Sequence, residues 1–299
     1  MKKLKEFLLE KGNDADLVGV VMTIAQGVID ISKVLETADS GKAGTKNVYG
    51  EEQMALDVLS NNIFLQKFSE NKLIGLVASE ELNGEEKLSD GDFAVCMDPL
   101  DGSSLIDVNL SIGSILGIYR AKTFMGVCGR DQVGAMMAVY GPKTTMMISL
   151  GQGLSEFSLI EGEFVLTKDE LSVGEGKMFA PGNLRICSER QEYLDLVNYW
   201  CKEGYTLRYS GGMVPDMNQI MLKGYGIFTY PGSVSEPDGK LRLLFECAPI
   251  AYLMDQAGGV ASDGKINILD KAVNDLEQRS AILVGSVLEV ERSEKALNV

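Results

Sequence analysis

Asp98 and Asp101 stand three residues apart at the end of an apolar run, in Phe93-Ala94-Val95-Cys96-Met97-Asp98-Pro99-Leu100-Asp101-Gly102-Ser103-Ser104. Two carboxylates so spaced can turn their oxygens on one hard cation, and the glycine and serines that follow expose backbone N–H groups suited to a phosphate. Pro99 bars a regular ladder, so the strand is expected to stop at Asp98 and give way to a turn. The segment thus reads as a metal site and an anion cradle side by side. A plain strand-ending turn also favours Asp and Ser, but it leaves the apolar run aimed at the first carboxylate unexplained.

Other acids stand in suggestive places. Glu80 and Glu81 close a second short apolar run, residues 73–78, and two neighbouring strands ending at one sheet edge would gather four carboxylates where ligands collect. Glu246 lies within Leu241-Arg242-Leu243-Leu244-Phe245-Glu246-Cys247-Ala248-Pro249-Ile250-Ala251, a helical stretch apolar on nearly every face. An ionised carboxylate there must be metal-bound or paired, and Arg242 one turn earlier is the alternative partner. Asp57, on a helix predicted over residues 51–68, reads from its surroundings as an ordinary polar-face residue. For a second anion contact, Arg208-Tyr209-Ser210-Gly211-Gly212-Met213 sets a guanidinium and a phenol before a glycine pair, and Tyr230 and Lys240 bracket a loop ahead of Glu246. Asn183 and Arg185 are candidates for the same pocket.

Composition narrows the chemistry. The 299 residues contain no histidine, which removes Ser-His-Asp and Cys-His nucleophilic systems and His-ligated zinc. Oxygen-ligand metal chemistry remains. Lysine and arginine number 28 against 43 aspartates and glutamates, a net charge of −15 that argues against a nucleic-acid partner. Five scattered cysteines read as reduced thiols. No uninterrupted apolar run approaches the ~18–20 residues of a membrane span, and the amino-terminal apolar run is too short for a secretory signal. A cytoplasmic protein with no membrane partner is expected. Asp14-Ala15-Asp16-Leu17-Val18 mimics a phosphatase nucleophile motif, but polar residues precede it and it reads as a helix cap.

The elements that must carry these residues alternate between helix and strand, which predicts an α/β (α+β layered) fold. Apolar residues at three- and four-residue steps predict a helix over residues 17–35, followed by a loop over 39–47. Strands are expected at 111–119, 133–140 and 144–150, with a hairpin over 157–167 turning at Glu161-Gly162. Residues 173–176, rich in glycine, suggest a loose connection, so the division is drawn between residues 1–170 and 171–299. Helices over 189–203 and 242–257 and strands at 205–209, 226–230 and 280–284 complete the second half.

These residues together resemble one family, the class I fructose-1,6-bisphosphatases and sedoheptulose-1,7-bisphosphatases of the lithium-sensitive, metal-dependent phosphatase superfamily. The likeness covers nearly the whole chain and is strongest at residues 78–81, 98–104, 205–219 and 240–259. It implies a five-layer α-β-α-β-α sandwich and Mg²⁺-dependent removal of the 1-phosphate of fructose 1,6-bisphosphate. Residues 174–185 and 208–216 look more like the sedoheptulose branch, so sedoheptulose-1,7-bisphosphatase activity, or dual specificity, is the alternative. By position the resemblance assigns Mg²⁺, with Mn²⁺ as a substitute and two or three ions per site, to Glu80, Asp98, Asp101, Glu246 and the carbonyl of Leu100. Asp57 and Glu81 fall where the family activates water. Gly102, Ser103 and Ser104 fall at the departing phosphate, and Asn183, Tyr209, Tyr230 and Lys240 at the distal phosphate and sugar. The family's counterpart of Arg208 reaches into a neighbouring subunit, which implies a homotetramer or homodimer.

Two departures from the family pattern are plain. The threonine-rich stretch and Lys-Tyr pair of the AMP-inhibitor pocket are replaced by residues 16–20 and by Asp92-Phe93, so AMP inhibition is expected to be weak or absent. The redox-regulatory cysteine insertion of chloroplast enzymes is missing. Inositol monophosphatase-like relatives carry a Trp-Asp pair where this chain has Phe245-Glu246, and a silent sugar-phosphate sensor would have no need of every expected acid.

Overall fold

A computed structural model describes residues 2–37 and 48–297. The loop expected over residues 39–47 lies outside the described residues. In the first half, eight strands form one sheet: β1 (Ile74–Ser79), β2 (Glu86–Lys87), β3 (Phe93–Asp101), β4 (Ile112–Tyr119), β5 (Gln132–Tyr140), β6 (Thr145–Ser149), β7 (Leu154–Ile160) and β8 (Glu163–Leu171), in the order β2-β1-β3-β4-β5-β6-β7-β8. Only β1 and β3 pair in parallel. Along β3, Phe93, Val95 and Met97 enter the core under the amino-terminal helices, while Ala94 and Cys96 enter the core on the opposite face. A strand buried on both sides reads as a continuous apolar run, which is how it stood out in the sequence. The β7–β8 turn places Glu161 and Gly162 at φ of 51° and 83°, the left-handed pair that a tight hairpin requires.

The helices α1 (Leu4–Glu10), α2 (Ala15–Thr37) and α3 (Val48–Glu70) cover the outer face of this sheet. By length and composition α2 could cross a membrane, with mean hydropathy 1.6 over Ala15–Glu36, yet 61% of that window is buried within the fold. Its apolar residues serve the core.

The second half contributes α4 (Gln191–Lys202), α5 (Met213–Lys223), α6 (Ala248–Gln256) and α7 (Val287–Leu297) together with seven strands. These are β9 (Gly174–Pro181), β10 (Thr206–Leu207), β11 (Tyr225–Tyr230), β12 (Leu241–Arg242), β13 (Val260–Ser262), β14 (Arg279–Ser280) and β15 (Ile282–Gly285). Five of them form a sheet ordered β10-β9-β11-β15-β13, and β12 pairs with β14 as a separate ribbon. Met213, Val214 and Met217 of α5 and Ile250 and Leu253 of α6 pack between the sheets, against Ile115 and Met137 on one side and Phe228 and Val284 on the other. Beyond the second sheet, α4 and α7 cover Phe179, Ile227 and Leu283, with Trp200 stacked on Phe179 at 5.1 Å between ring centres. The result is a five-layer α-β-α-β-α sandwich.

Several elements depart from the expectation. The chain does not loosen at residues 173–176: β9 begins at Gly174, and a Cβ at Gly176 would lie 2.4 Å from the Tyr225 ring. Glycine there serves close packing, not flexibility. β3 continues to Asp101 rather than stopping at Asp98, with Pro99 and Leu100 taken up by a register shift against β4 between Asp98 and Asp101. The strand expected at 205–209 shrinks to Thr206–Leu207. Pro215 masks α5 in the sequence, but it falls in the first turn of that helix, where a missing N–H leaves no bond unmade. The helix expected over 242–257 divides into a π-helical turn, Leu243–Cys247, and α6. Pro249 has no N–H to return to the Phe245 carbonyl, a local cause for the wider turn.

Gly113 on β4 pairs with Asp101 on β3. A Cβ at Gly113 would lie 2.3 Å from the Ala138 carbonyl oxygen and 2.3 Å from Val214 Cγ1, so the first turn of α5 rests directly on the strand. Gly113→Ala should cost about 1–3 kcal/mol by overpacking. Urea unfolding should show a lower midpoint at unchanged slope; an unmoved midpoint would contradict this packing.

Candidate active site

The parallel pairing of β1 and β3 sets Ser79 beside Met97, and the Glu80 N–H donates to the Met97 carbonyl at 3.1 Å. Glu80, just past the end of β1, is therefore set beside Asp98 on β3. Asp98 Oδ1 accepts the Leu100 N–H at 2.9 Å, which closes the bulge around Pro99. From beneath, the Ser114 hydroxyl donates to the Pro99 carbonyl at 2.7 Å and meets the Tyr140 hydroxyl at 2.9 Å. Asp101 Oδ2 accepts the Val214 N–H at 3.0 Å from the first turn of α5, where the helix dipole favours negative charge. Glu246, on the π-helical turn, accepts the backbone N–H of Arg242.

Oxygens of Asp98, Asp101 and Glu246 lie within 4.8 Å of one another. Glu80 lies close enough for its charge to act on Asp98 and Glu246. Asp98 and Glu246 are 6% exposed and Asp101 is 9% exposed. Burial is the chief cause that pushes the Asp98 and Glu246 carboxyls well above their ordinary range, and the neighbouring acids push further. Asp101 rises to about 6 through burial, partly offset by the Val214 N–H. Glu80 is raised by burial, opposed by Arg242.

Asp57, half-buried on α3, is pushed up to about 6 by burial, against a hydrogen bond from Ser103, with Glu81 and Glu80 adding repulsion. Its Oδ1 is buried without a hydrogen-bond partner. The exposed Glu81, whose N–H donates to the Ser79 hydroxyl at 3.3 Å, is close enough for its charge to act on both Asp57 and Glu80. Converging oxygen donors, one of them orphaned, with no imidazole or thiolate among them, suit a hard divalent cation.

The anion side lies on the same edge. Gly102 sits at φ of 79°, a left-handed conformation natural to glycine, and a Cβ there would lie 3.9 Å from the Gly212 Cα. Ser103 is half-buried and Ser104 exposed. Tyr230 is raised by burial and by Glu236, Tyr209 and Glu246, while Arg185 lowers it, so these groups share one neighbourhood. Asn183 caps its own turn by accepting the Arg185 N–H at 3.1 Å. Arg208 is half-buried, its N–H bonded to the Phe179 carbonyl at 2.8 Å, and Tyr209 and Lys240 are exposed. Leu100 is buried between the two aspartates it separates.

Arg242 finds partners other than the one expected, and Asp216 is a residue the sequence did not single out. The Arg242 guanidinium does not pair with Glu246; it faces Glu80 at 3.7 Å and Glu277 at 2.8 Å. Asp216 on α5, 1% exposed, accepts the Ser210 N–H at 3.1 Å and so pins the turn that carries Arg208 and Tyr209. The apolar run around Glu246 hinted at the first, but nothing periodic marks the second. Where the resemblance puts AMP, Asp92 pairs with Lys122 at 3.0 Å, and Arg120 is matched by Asp14 while it stacks on Phe93. The cations there already have carboxylate partners.

A carboxyl with a folded pKa above its unfolded value holds extra protons in the fold, so its contribution to stability is lost as pH rises through that interval. For Asp57 and Asp101 the interval runs from 3.8 to about 6. A bound divalent cation reverses this loss. Mn²⁺ or Mg²⁺ should therefore raise the melting temperature more at pH 8 than at pH 5 in scanning fluorimetry, and equal shifts at the two pH values would speak against the cluster as a cation site.

Known proteins match this geometry along its whole length. Residues 2–169 match the fructose-1-6-bisphosphatase N-terminal domain and residues 173–298 the fructose-1-6-bisphosphatase C-terminal domain. The chain is 41% identical to chloroplastic sedoheptulose-1,7-bisphosphatase of Triticum aestivum over 98% of its own length and 76% of the relative's. It is 42% identical to the class 1 fructose-1,6-bisphosphatase of Trichlorobacter lovleyi over 98% and 94% of the two chains. The crystal structure of Leishmania major fructose-1,6-bisphosphatase in holo form superposes with a TM-score of 0.91 at 30% identity, covering 100% of this chain and 99% of that one. With fold, converging acids and sequence in agreement from end to end, this chain belongs to the fructose-1,6-bisphosphatase family.

Proposed function

We propose that this protein hydrolyses the 1-phosphate of fructose 1,6-bisphosphate in the cytoplasm, giving fructose 6-phosphate and inorganic phosphate. The observation that carries the reading is the convergence of Asp98, Asp101 and Glu246 within 4.8 Å beside the Gly102 turn, in a chain 42% identical to a class 1 fructose-1,6-bisphosphatase. Glu80, Asp98, Asp101, Glu246 and the Leu100 carbonyl would hold two or three magnesium ions. Bound there, magnesium supplies Lewis acidity that neutralises charge on the phosphoryl oxygens. In this reading Gly102, Ser103 and Ser104 hold the phosphoryl group by backbone N–H and hydroxyl donors. Asp57, with a carboxyl at about 6, is ionised at neutral pH yet basic enough to take a proton from the attacking water. The Ser103 hydrogen bond aims it, and Glu81 adds a second acceptor.

The second half of the chain, residues 171–299 in this reading, grips the distal phosphate and sugar through Asn183, Tyr209, Tyr230 and Lys240. Arg208 would serve the neighbouring subunit's site, which makes the active form a homodimer or homotetramer. A second reading, sedoheptulose-1,7-bisphosphatase activity, is favoured by residues 174–185 and 208–216 and by the 41% identity to the wheat protein. Parallel kcat/KM measurements on the two bisphosphates decide between them: fructose 1,6-bisphosphate should be the better substrate, and a tenfold preference for the sedoheptulose compound would reverse the assignment.

Asp98→Asn and Asp101→Asn should each lower phosphate release at least about a hundredfold with folding intact. Asp57→Asn should lower kcat comparably while Mn²⁺ binding persists. Full turnover in Asp98→Asn, or loss of Mn²⁺ binding in Asp57→Asn, would require different roles.

A further inference from the structure

The geometry points to Glu277 as a positioning residue that holds the Arg242 guanidinium away from Glu80. Arg242 lies on the β12–β14 ribbon, opposite Arg279, and its side chain sits between two carboxylates. Its Nε donates to Glu277 Oε2 at 2.9 Å, and its Nη2 lies 2.8 Å from the same oxygen. Its Nη1 is 3.7 Å from Glu80 Oε1, beyond hydrogen-bond reach. The guanidinium is a rigid fork, so the edge committed to Glu277 decides where the other edge can go.

Glu277 is itself fixed. Its N–H donates to Asp275 Oδ1 at 2.9 Å, and the Leu243 N–H donates to the next residue's carbonyl, that of Gln278, at 2.7 Å. The turn that carries Glu277 is thus tied to the start of the π-helical turn that carries Glu246. The Arg242 side chain is 17% exposed, against 57% for Glu277. An ion pair with so exposed a partner adds little to stability, so its geometry points to another use. Without the outer carboxylate, the guanidinium would tighten its 3.7 Å ion pair with Glu80 into a hydrogen-bonded one and occupy an oxygen that a cation needs. This inference rests on the reading of Glu80 as a cation ligand.

Calorimetric titration of the full chain with Mn²⁺ alone tests it. Glu277→Gln should weaken Mn²⁺ binding about three- to tenfold, within the range of coupling between contacting charged groups. Glu277→Asp keeps the charge but shortens the reach, and should lose at least about twofold. In an Arg242→Gln background, Glu277→Gln should change the affinity by less than about 1.5-fold. Equal losses with and without Arg242 would overturn the proposal in favour of a simple field effect. So would wild-type affinity in Glu277→Asp, which settles the matter even if Arg242→Gln does not fold. If wild-type protein binds Mn²⁺ and Glu277→Gln matches it, only the role of Glu277 falls. If wild-type protein takes up no Mn²⁺, the cation-site reading falls with it.

Discussion

Carboxylates removed from water repel one another, and much of this molecule is organised around keeping several of them together. Asp98, Asp101 and Glu246 cannot all ionise in their buried setting without a compensating charge. Each is nevertheless held in place by one backbone donor: Leu100 for Asp98, Val214 for Asp101 and Arg242 for Glu246. A main-chain N–H fixes the aim of an acid without adding a full positive charge that would compete with a cation. Remaining lone pairs are left to point inward, which is the preorganisation that a metal centre needs.

Departures from regular backbone gather at the same place. The bulge between Asp98 and Asp101, the left-handed Gly102 and the π-helical turn around Glu246 all lie within one edge of the sandwich. Bulges and π turns re-aim side chains that a regular strand or helix would send elsewhere. The apolar layers on either side, with Met97 and Val95 below and Phe245 and Ile250 above, make these irregularities tolerable because they restrain the chain on both faces.

The broad architecture was legible in the sequence because its signals are local. β1 and β3 are buried on both faces and read as apolar runs, α2 shows its three-and-four spacing, and Glu161-Gly162 marks its own hairpin. Asp98 and Asp101 declared themselves through their neighbours. What stayed hidden depends on contacts distant in sequence. Asp57 reads as a surface residue until Ser103 and Glu81 are brought beside it, and the partners of Arg242 follow from the pairing of β12 with β14. α5 hides behind Pro215, and the glycines at 174 and 176 imitate a linker because the ring of Tyr225, which requires the smallness of Gly176, lies far along the chain.

Glu246 reaches the site from the last quarter of the polypeptide, whereas Asp57, Glu80, Asp98 and Asp101 come from the first 101 residues. During synthesis on the ribosome the amino-terminal sheet can emerge and collapse long before its final acidic partner leaves the exit tunnel. A nascent chain therefore presents an incomplete acidic cluster, with less repulsion to overcome while its strands pair. Under the proposed function, competence for catalysis would arrive late and all at once, when the π-helical turn docks, and a prematurely terminated fragment would fold in part without acquiring chemistry.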